Sequence, residues 1–352
     1  MKPGVLDILI CPDCSGGLLA EAFSKDENEM ENGILSCRKC GMHFPVISGI
    51  PRMLPPGMIN DSLMARFLDE YGDRVPKGML GTGGKAPGEL KRKTSESFGF
   101  QWNAFPVIRK EHEQTFLNYI APLKPSFFRH KLVLDAGCGF GRHTYFSAKW
   151  GAEVVGFDLS DAVEAAYRNC GRMPGVHIVQ GDIYNLPFRR KFDFIMSIGV
   201  IHHLPKPKQG FMRLVGLARK DSDLFVWLYG REGRWFKIHV VEGIIRRATT
   251  RMPHRLLYYL CYVPASIYHF TNMVYNFLNG HGASGIARYL PFKDWAKFAF
   301  KSKHQDAFDL LATPVNNYYT REEVLRWGRD ARLRDIKVTS LDGKSWRLFG
   351  KK

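Results

Sequence analysis

Residues 133–144 read VLDAGCGFGRHT. An apolar run ends on Asp135, and Gly137, Gly139 and Gly141 follow at every second position. A buried strand that feeds a glycine turn and then a helix is the first unit of an α/β sheet. The missing side chains let backbone approach a ligand closely. The dinucleotide fingerprint G-x-G-x-x-G is not met, because residue 142 is Arg. An acid at the strand end suits a ligand with a cationic amine better than a diphosphate.

The next segments repeat the unit. EVVGFD ends a second strand at Asp158, 21 residues beyond Gly137. An acid there accepts both hydrogen bonds of a ribose diol. HIVQGDIYNLPF ends a third strand at Asp182, FDFIMSIGVIHHLPKP is a fourth strand with its exit loop, and DLFVWLYG is a fifth. Alternation with helical stretches predicts an α/β fold, a parallel sheet with helices on both faces. Upstream, residues 55–95 are rich in Gly, Pro and Lys and read as a linker with one short helix near Leu63–Tyr71. The following TSESFGFQWNAF reads either as an aromatic cluster folding over a cofactor or as an ordinary amphipathic helix. A further helix is expected from Lys110 to Ile120, ahead of Pro122.

This succession resembles the class I S-adenosylmethionine-dependent methyltransferases over about residues 130–230, with 320–350 similar to that family's closing helix and hairpin strands. The resemblance implies a Rossmann-like methyltransferase sheet with S-adenosylmethionine as cofactor. Asp135, Gly137, Gly139 and Gly141 would form the turn around the methionine part, and Asp158 would take the ribose hydroxyls. Asp182 with Ile183 would hold the adenine, and Ser197 and Gly199 would lie beside the sulfonium. His202 and His203 follow the fourth strand at the sheet edge where ligands bind, so either is a candidate base. A His-His-Leu-Pro exit is also common in the family's small-molecule branch, where it shapes the loop. Methyltransferases of exocyclic base amines show Asn/Asp-Pro-Pro-aromatic after strand four. The sequence SIGVIHHLPKP disfavours that acceptor.

Cys11 and Cys14 sit in CPDC, Cys37 and Cys40 in CRKC, with 22 residues between the pairs. Two C-x-x-C knuckles close a tetrahedral zinc site, and four thiolates leave no open position, so the Zn2+ is structural. The polar AEAFSKDENEMENG between them reads as a hairpin excursion. Residues 5–54 resemble the small zinc-ribbon proteins that activate certain methyltransferases, and the ribbon fused in front of some ribosomal-RNA guanine methyltransferases. Whether such a ribbon meets a partner protein, substrate or only its own chain stays open. Seven cysteines and an opening that turns polar at once point to a reducing, cytoplasmic setting.

The net charge is +17, and residues 231–352 hold 22 Lys and Arg against 10 Asp and Glu. A basic surface favours an anionic partner. Between Gly230 and Thr320 lie far more residues than a sheet connection needs. Leu256–Leu278 carries no Lys, Arg, Asp or Glu, but Pro264, His269, Asn272 and Asn276 argue for a helical lid rather than a transmembrane span. Its border is basic: Arg246, Arg247, Arg251 and Arg255 before, Arg288, Lys293, Lys297, Lys301 and Lys303 after. That pattern suits an anionic membrane surface, stacked single-stranded RNA, or a helical subdomain with solvated basic faces. The TREE onset at Thr320 reads as a capped helix. The series FDLLATPVNNYYTREEV resembles a subgroup of methyltransferases found near glycan, lipid and natural-product pathways, which implies that Asn316, Asn317, Tyr318 and Tyr319 return to the pocket mouth.

The expected order is a zinc ribbon (1–54), a linker (55–95), a Rossmann-like core (96–230), a helical insert or lid (231–318) and the end of the core (319–352). The expected activity is methyl transfer to a small-molecule or lipid-like acceptor, cytoplasmic with peripheral contact at a membrane. The alternative is an RNA methyltransferase, rRNA or tRNA, gripping nucleic acid through the ribbon and basic insert. A non-catalytic binding protein on the same fold is the third reading.

Overall fold

The chain opens with an antiparallel meander: β1 (Leu18–Asp26), β2 (Glu29–Cys37), β3 (His43–Ile47) and β4 (Ile50–Met53). The polar stretch between the two cysteine pairs is the β1–β2 hairpin. Helices α1 (Asp61–Tyr71), α2 (Glu89–Ala104) and α3 (Glu111–Ile120) lead into the α/β core. The core runs β5 (Leu132–Ala136), α4 (Arg142–Lys149), β6 (Glu153–Asp158), α5 (Ala162–Ala166), β7 (Val176–Gly181), β8 (Phe192–Ile198), α6 (Pro207–Leu217) and β9 (Ala218–Tyr229). The computed structural model describes residues 1–76, 88–189, 192–233, 237–290, 299–341 and 343–352. Lys293 and Lys297 of the basic border lie outside the described residues, as does part of the expected linker.

After the insert come α12 (Arg321–Asp330), β10 (Arg334–Ser340) and β11 (Ser345–Lys351). The strands form one sheet in the order β1-β2-β3-β4-β7-β6-β5-β8-β9-β11-β10. Strands β7, β6, β5, β8 and β9 are parallel, and β11 and β10 close the edge antiparallel. Parallel strands are covered on both faces, hence the near-continuous burial along β5, β7 and β8. The order reverses at β5, between β6 and β8, and that switch point is where ligands bind in open α/β sheets.

The ribbon joins this sheet. Strand β4 pairs parallel with β7, Arg52 opposite Gln180 and Met53 opposite Gly181. The Arg52 guanidinium is fully buried in the seam. It donates to Gln180 Oε1 at 3.0 Å, Ile47 O at 3.2 Å and Glu164 Oε1 at 2.5 Å. Leu9, Phe44 and Val46 of the ribbon share one hydrophobic core with Val155, Phe157 and Phe188. Helix α2 starts at Glu89, earlier than the composition of 55–95 implies.

Residues Trp235–Pro314 form a second compact unit, apart from Met1–Arg234 with Val315–Lys352. Its described helices are a π-helical turn (Lys237–Ile245), α7 (Arg246–Thr249), α8 (His254–Leu260), α9 (Tyr262–Gly280), α10 (Ser284–Ala287) and α11 (Phe300–Ala312). The long uncharged run divides at Cys261. Pro264 then falls in the first turn of α9, where its missing N–H costs nothing. Inside the unit, His304 Nε2 lies 2.7 Å from Tyr258 O, and its ring lies 4.0 Å from that of Tyr262. Among the described residues no helix is long and apolar enough to cross a membrane.

Candidate cofactor site and metal centre

The glycine turn is built by necessity. Gly137, Gly139 and Gly141 have φ of +85°, +54° and +82°, a region that costs any L side chain strain. A Cβ on Gly137 would sit 2.2 Å from Val200 Cγ2, and one on Gly139 3.1 Å from Trp102 Nε1. Asp135 is buried, and its Oδ2 accepts from Thr144 Oγ1 at 2.7 Å. Its Oδ1 is buried with no partner. Burial pushes this carboxyl up to about 7, against the Thr144 hydroxyl that favours the charged form. A buried acceptor held beside a glycine turn suits a cationic amine.

Asp158 ends β6 and faces the same turn. Its Oδ2 accepts from Gly139 N at 2.9 Å, and its Oδ1 from Ser160 N and Oγ at 2.8 and 2.7 Å. Burial pushes this carboxyl up as well, while the N–H and O–H donors pull it back. Asp182, beyond β7, pairs with Lys91 of α2, and its Oδ1 accepts from Tyr184 N at 3.0 Å. Ile183 beside it is buried. Ser197 is fully buried, and its hydroxyl donates to Ala136 O at 2.8 Å, tying β8 to β5. Gly199, with φ +76°, brings the chain to the edge of the Trp227 ring.

One helix reaches several parts of this site. Lys91 of α2 meets Asp182, Trp102 lies 4.9 Å from Phe140 over the turn, and Phe98 lies 5.0 Å from His203. Asn103 donates to Asp161 O at 2.9 Å, and Gly99 lets α2 approach that same backbone. The aromatic cluster of α2 was visible in sequence, whereas Lys91 was missed. Its signal is spacing, since positions 91, 98 and 102 share one helical face.

His202 and His203 are both buried. The His202 ring packs 3.9 Å from Tyr229, and its carbonyl accepts from Asn317 N and Nδ2 at 2.9 and 3.0 Å. His203 Nδ1 lies 2.8 Å from Val315 O. A carbonyl only accepts, so Nδ1 carries the proton and Nε2 is the basic nitrogen. Tyr318 stacks on Tyr229 at 5.7 Å, and Tyr319 N donates to Tyr229 O at 3.0 Å. Residues 315–319 therefore belong with the core and clamp the His-His loop. Thr320 and Glu323 then form a capping box that starts α12.

The metal centre lies in the ribbon. The sulfurs of Cys11, Cys14, Cys37 and Cys40 all lie within 4.8 Å of one another. The Cys11–Cys40 and Cys14–Cys37 separations are 3.6 and 3.4 Å, near the ~3.8 Å edge of a tetrahedron of 2.3 Å zinc–thiolate bonds. A Cβ on Gly16 would lie 2.8 Å from Cys37 Sγ and 3.2 Å from Cys14 Sγ, so the knuckle needs glycine there. Four thiolates fit a closed, structural zinc.

Strand order, glycine turn and two strand-end acids define the core as a Rossmann-like methyltransferase domain of the S-adenosylmethionine-dependent kind. Residues 134–226 match the methyltransferase domain family and residues 2–49 match the Trm112p-like protein family. The chain is 32% identical over 146 residues to a tRNA U34 carboxymethyltransferase of Psychromonas ingrahamii, covering 37% of this chain and 43% of that protein. It is 31% identical over 163 residues to the protein of that name from Shewanella frigidimarina, covering 41% and 48%. The chain thus spans less than half the length of these curated relatives. Among solved structures, a putative O-methyltransferase from Nostoc punctiforme aligns at TM-score 0.43 and 14% identity, covering 84% of this chain and 70% of that one.

Proposed function

We propose that the chain transfers the methyl group of S-adenosylmethionine to a nucleophile on RNA. The observation that carries the acceptor is the similarity to proteins named tRNA U34 carboxymethyltransferase. It reverses the order expected from the sequence, which put a small or lipid-like acceptor first. The basic balance of +17 agrees with a polyanion. The SIGVIHHLPKP exit in place of an Asn/Asp-Pro-Pro-aromatic turn disfavours an exocyclic base amine as the acceptor.

When bound, the cofactor supplies an activated methyl on a sulfonium. The protein's part is alignment and exclusion of water, which contribute ~7–11 kcal/mol in well-oriented reactions. In this reading Asp135 Oδ1 would receive the methionine amine, and Asp158 would accept from the ribose hydroxyls. Asp182 with Ile183 would hold the adenine. Any proton on the acceptor leaves to His203 Nε2, whose tautomer is fixed by Val315 O. His202 supports the loop through Asn317 and the Tyr229 ring. Zinc holds the ribbon and takes no part in transfer.

A second acceptor, a lipid-like molecule, is favoured by one observation. The insert exposes a row of large apolar side chains along α9. The test is transfer of labelled methyl from S-adenosylmethionine into host extract, separated into RNA, lipid, small-molecule and protein fractions, with Asp158→Ala beside it. Label in RNA that the variant loses supports the proposal. Label in lipid promotes the second reading. A folded protein that binds the cofactor and labels nothing is a binding protein.

A further inference from the structure

Helix α9 has two faces of unlike fate. Ala265 and Asn272 are buried within the insert. On the other side Val263, Ile267, Phe270, Met273 and Phe277 are each 53–67% exposed. At 100° per residue these five fall within an arc of about 120°, opposite the buried pair. The row runs along a helix of 19 residues, about 28 Å. Large apolar side chains in so continuous a strip mark an interaction surface.

The charge around the strip selects its partner. Residues 243–290 contain five arginines and no Asp or Glu, and residues 256–287 contain no charged residue of either sign. Exposed Arg247, Arg251 and Arg255 stand before the strip and exposed Arg288 after it. Exposed Tyr259 and Tyr289 stand beside them near the two ends. Such phenolic rings sit well at the level of lipid headgroups.

We infer that the α9 face lies in the surface of an anionic lipid bilayer, with its apolar row among the upper acyl chains and its arginines at the headgroups. A helix of this kind lies in the interface plane rather than across the bilayer. A second copy of the chain fits worse. Packing α9 on α9 sets Arg247, Arg251 and Arg255 beside their own copies when parallel and beside Arg288 when antiparallel, like charge against like in both. RNA also fits worse, since a phosphate chain needs cations along its path and the strip has none for its whole length. The inference does not rest on the acceptor reading, because it is read by binding and not by turnover.

The test mixes the full chain, zinc-loaded, with vesicles of phosphatidylcholine alone and with vesicles about one third phosphatidylglycerol, at low and high salt. The protein is expected to sediment with the anionic vesicles and to be released in part by salt. Phe270→Glu is expected to weaken this binding about tenfold or more. Met273→Gln, a milder change, is expected to weaken it less while leaving the melting temperature unchanged. Arg251→Glu is expected to remove part of the salt-sensitive component alone. Three results would overturn the inference. Wild-type protein that stays in solution with both vesicle types is one. Variants that bind like wild type are another. The third is a Phe270→Glu protein that loses a dimer or an RNA complex while wild type ignores vesicles.

Discussion

The glycine turn and helix α9 are both rich in apolar residues, yet they are constrained in opposite ways. Around the turn each position answers to several neighbours at once. Gly137 abuts Val200, Gly139 lies under Trp102, and Asp158 holds the Gly139 N–H. On the outer face of α9, Val263, Ile267 and Phe270 meet solvent. A packed site tolerates almost no change in volume, whereas an exposed face answers only to what it meets outside the molecule. Conformational demand thus marks the candidate cofactor turn, and its absence marks the face left open to a partner.

The comparison is tested first by removing what fixes the packed region from a distance. The ribbon's metal site and the sheet are joined through β4 and the buried Arg52. Zinc binding supplies ~10–16 kcal/mol of apparent folding energy to small ribbons. Cys37→Ser, or chelation of the metal, is expected to lower the melting temperature by more than about 10 °C and to melt ribbon and core together. Calorimetry checks this. A ribbon that melts alone while the core keeps its transition would show that the shared strand does not couple them.

Gly137→Ala should have the next largest effect. The new methyl would sit 2.2 Å from Val200 Cγ2 on a backbone with φ +85°. Overpacking and left-handed strain together cost about 2–4 kcal/mol. Denaturant unfolding measures the loss, and titration with S-adenosylmethionine should show binding abolished. Val200→Ala in the same chain should recover part of the stability and little of the binding, because the strain remains.

Local rules carried most of this region into the sequence. The two C-x-x-C pairs, the strand-end acids and the TREE cap each declare themselves through spacing alone, and the structure holds the cysteines together and the cap closed. Joining the ribbon to β7 was not legible, since parallel pairing links Arg52 to Gln180 across more than a hundred residues. The Lys91–Asp182 pair was hidden for the same reason, in a stretch whose Gly, Pro and Lys content reads as linker. Ser197 shows a further limit. Only the resemblance places it beside the sulfonium, and the bond its hydroxyl makes to Ala136 O within the sheet has no spacing signal in the sequence.

Asp135 offers a middle-sized test with a defined sign. Its carboxyl stands at about 7 in the fold against 3.8 for a free group, because burial disfavours its charge. In the unliganded protein this contributes stability that is full below about pH 4 and is lost as the pH rises through about 7. Binding of a cationic amine to Asp135 has the opposite slope, since it needs the ionised form. Affinity for S-adenosylmethionine should therefore fall about tenfold per unit as the pH drops below about 7, and Asp135→Asn should flatten the profile while binding weakly throughout. A profile unchanged in the variant would place the amine elsewhere.

The smallest expected effect completes the contrast. Val263→Ser and Met273→Gln remove apolar surface from positions about 60% exposed. Side chains that are already in water lose little on folding, so each change should alter stability by no more than about 0.5 kcal/mol in denaturant titrations. Ala265→Leu, on the buried face of the same helix, should cost about 1–3 kcal/mol by overpacking against a site with no room. If the exposed substitutions cost as much as the buried one, the outer face is covered within the folded chain. The packed turn and the open helix would then obey the same constraint after all.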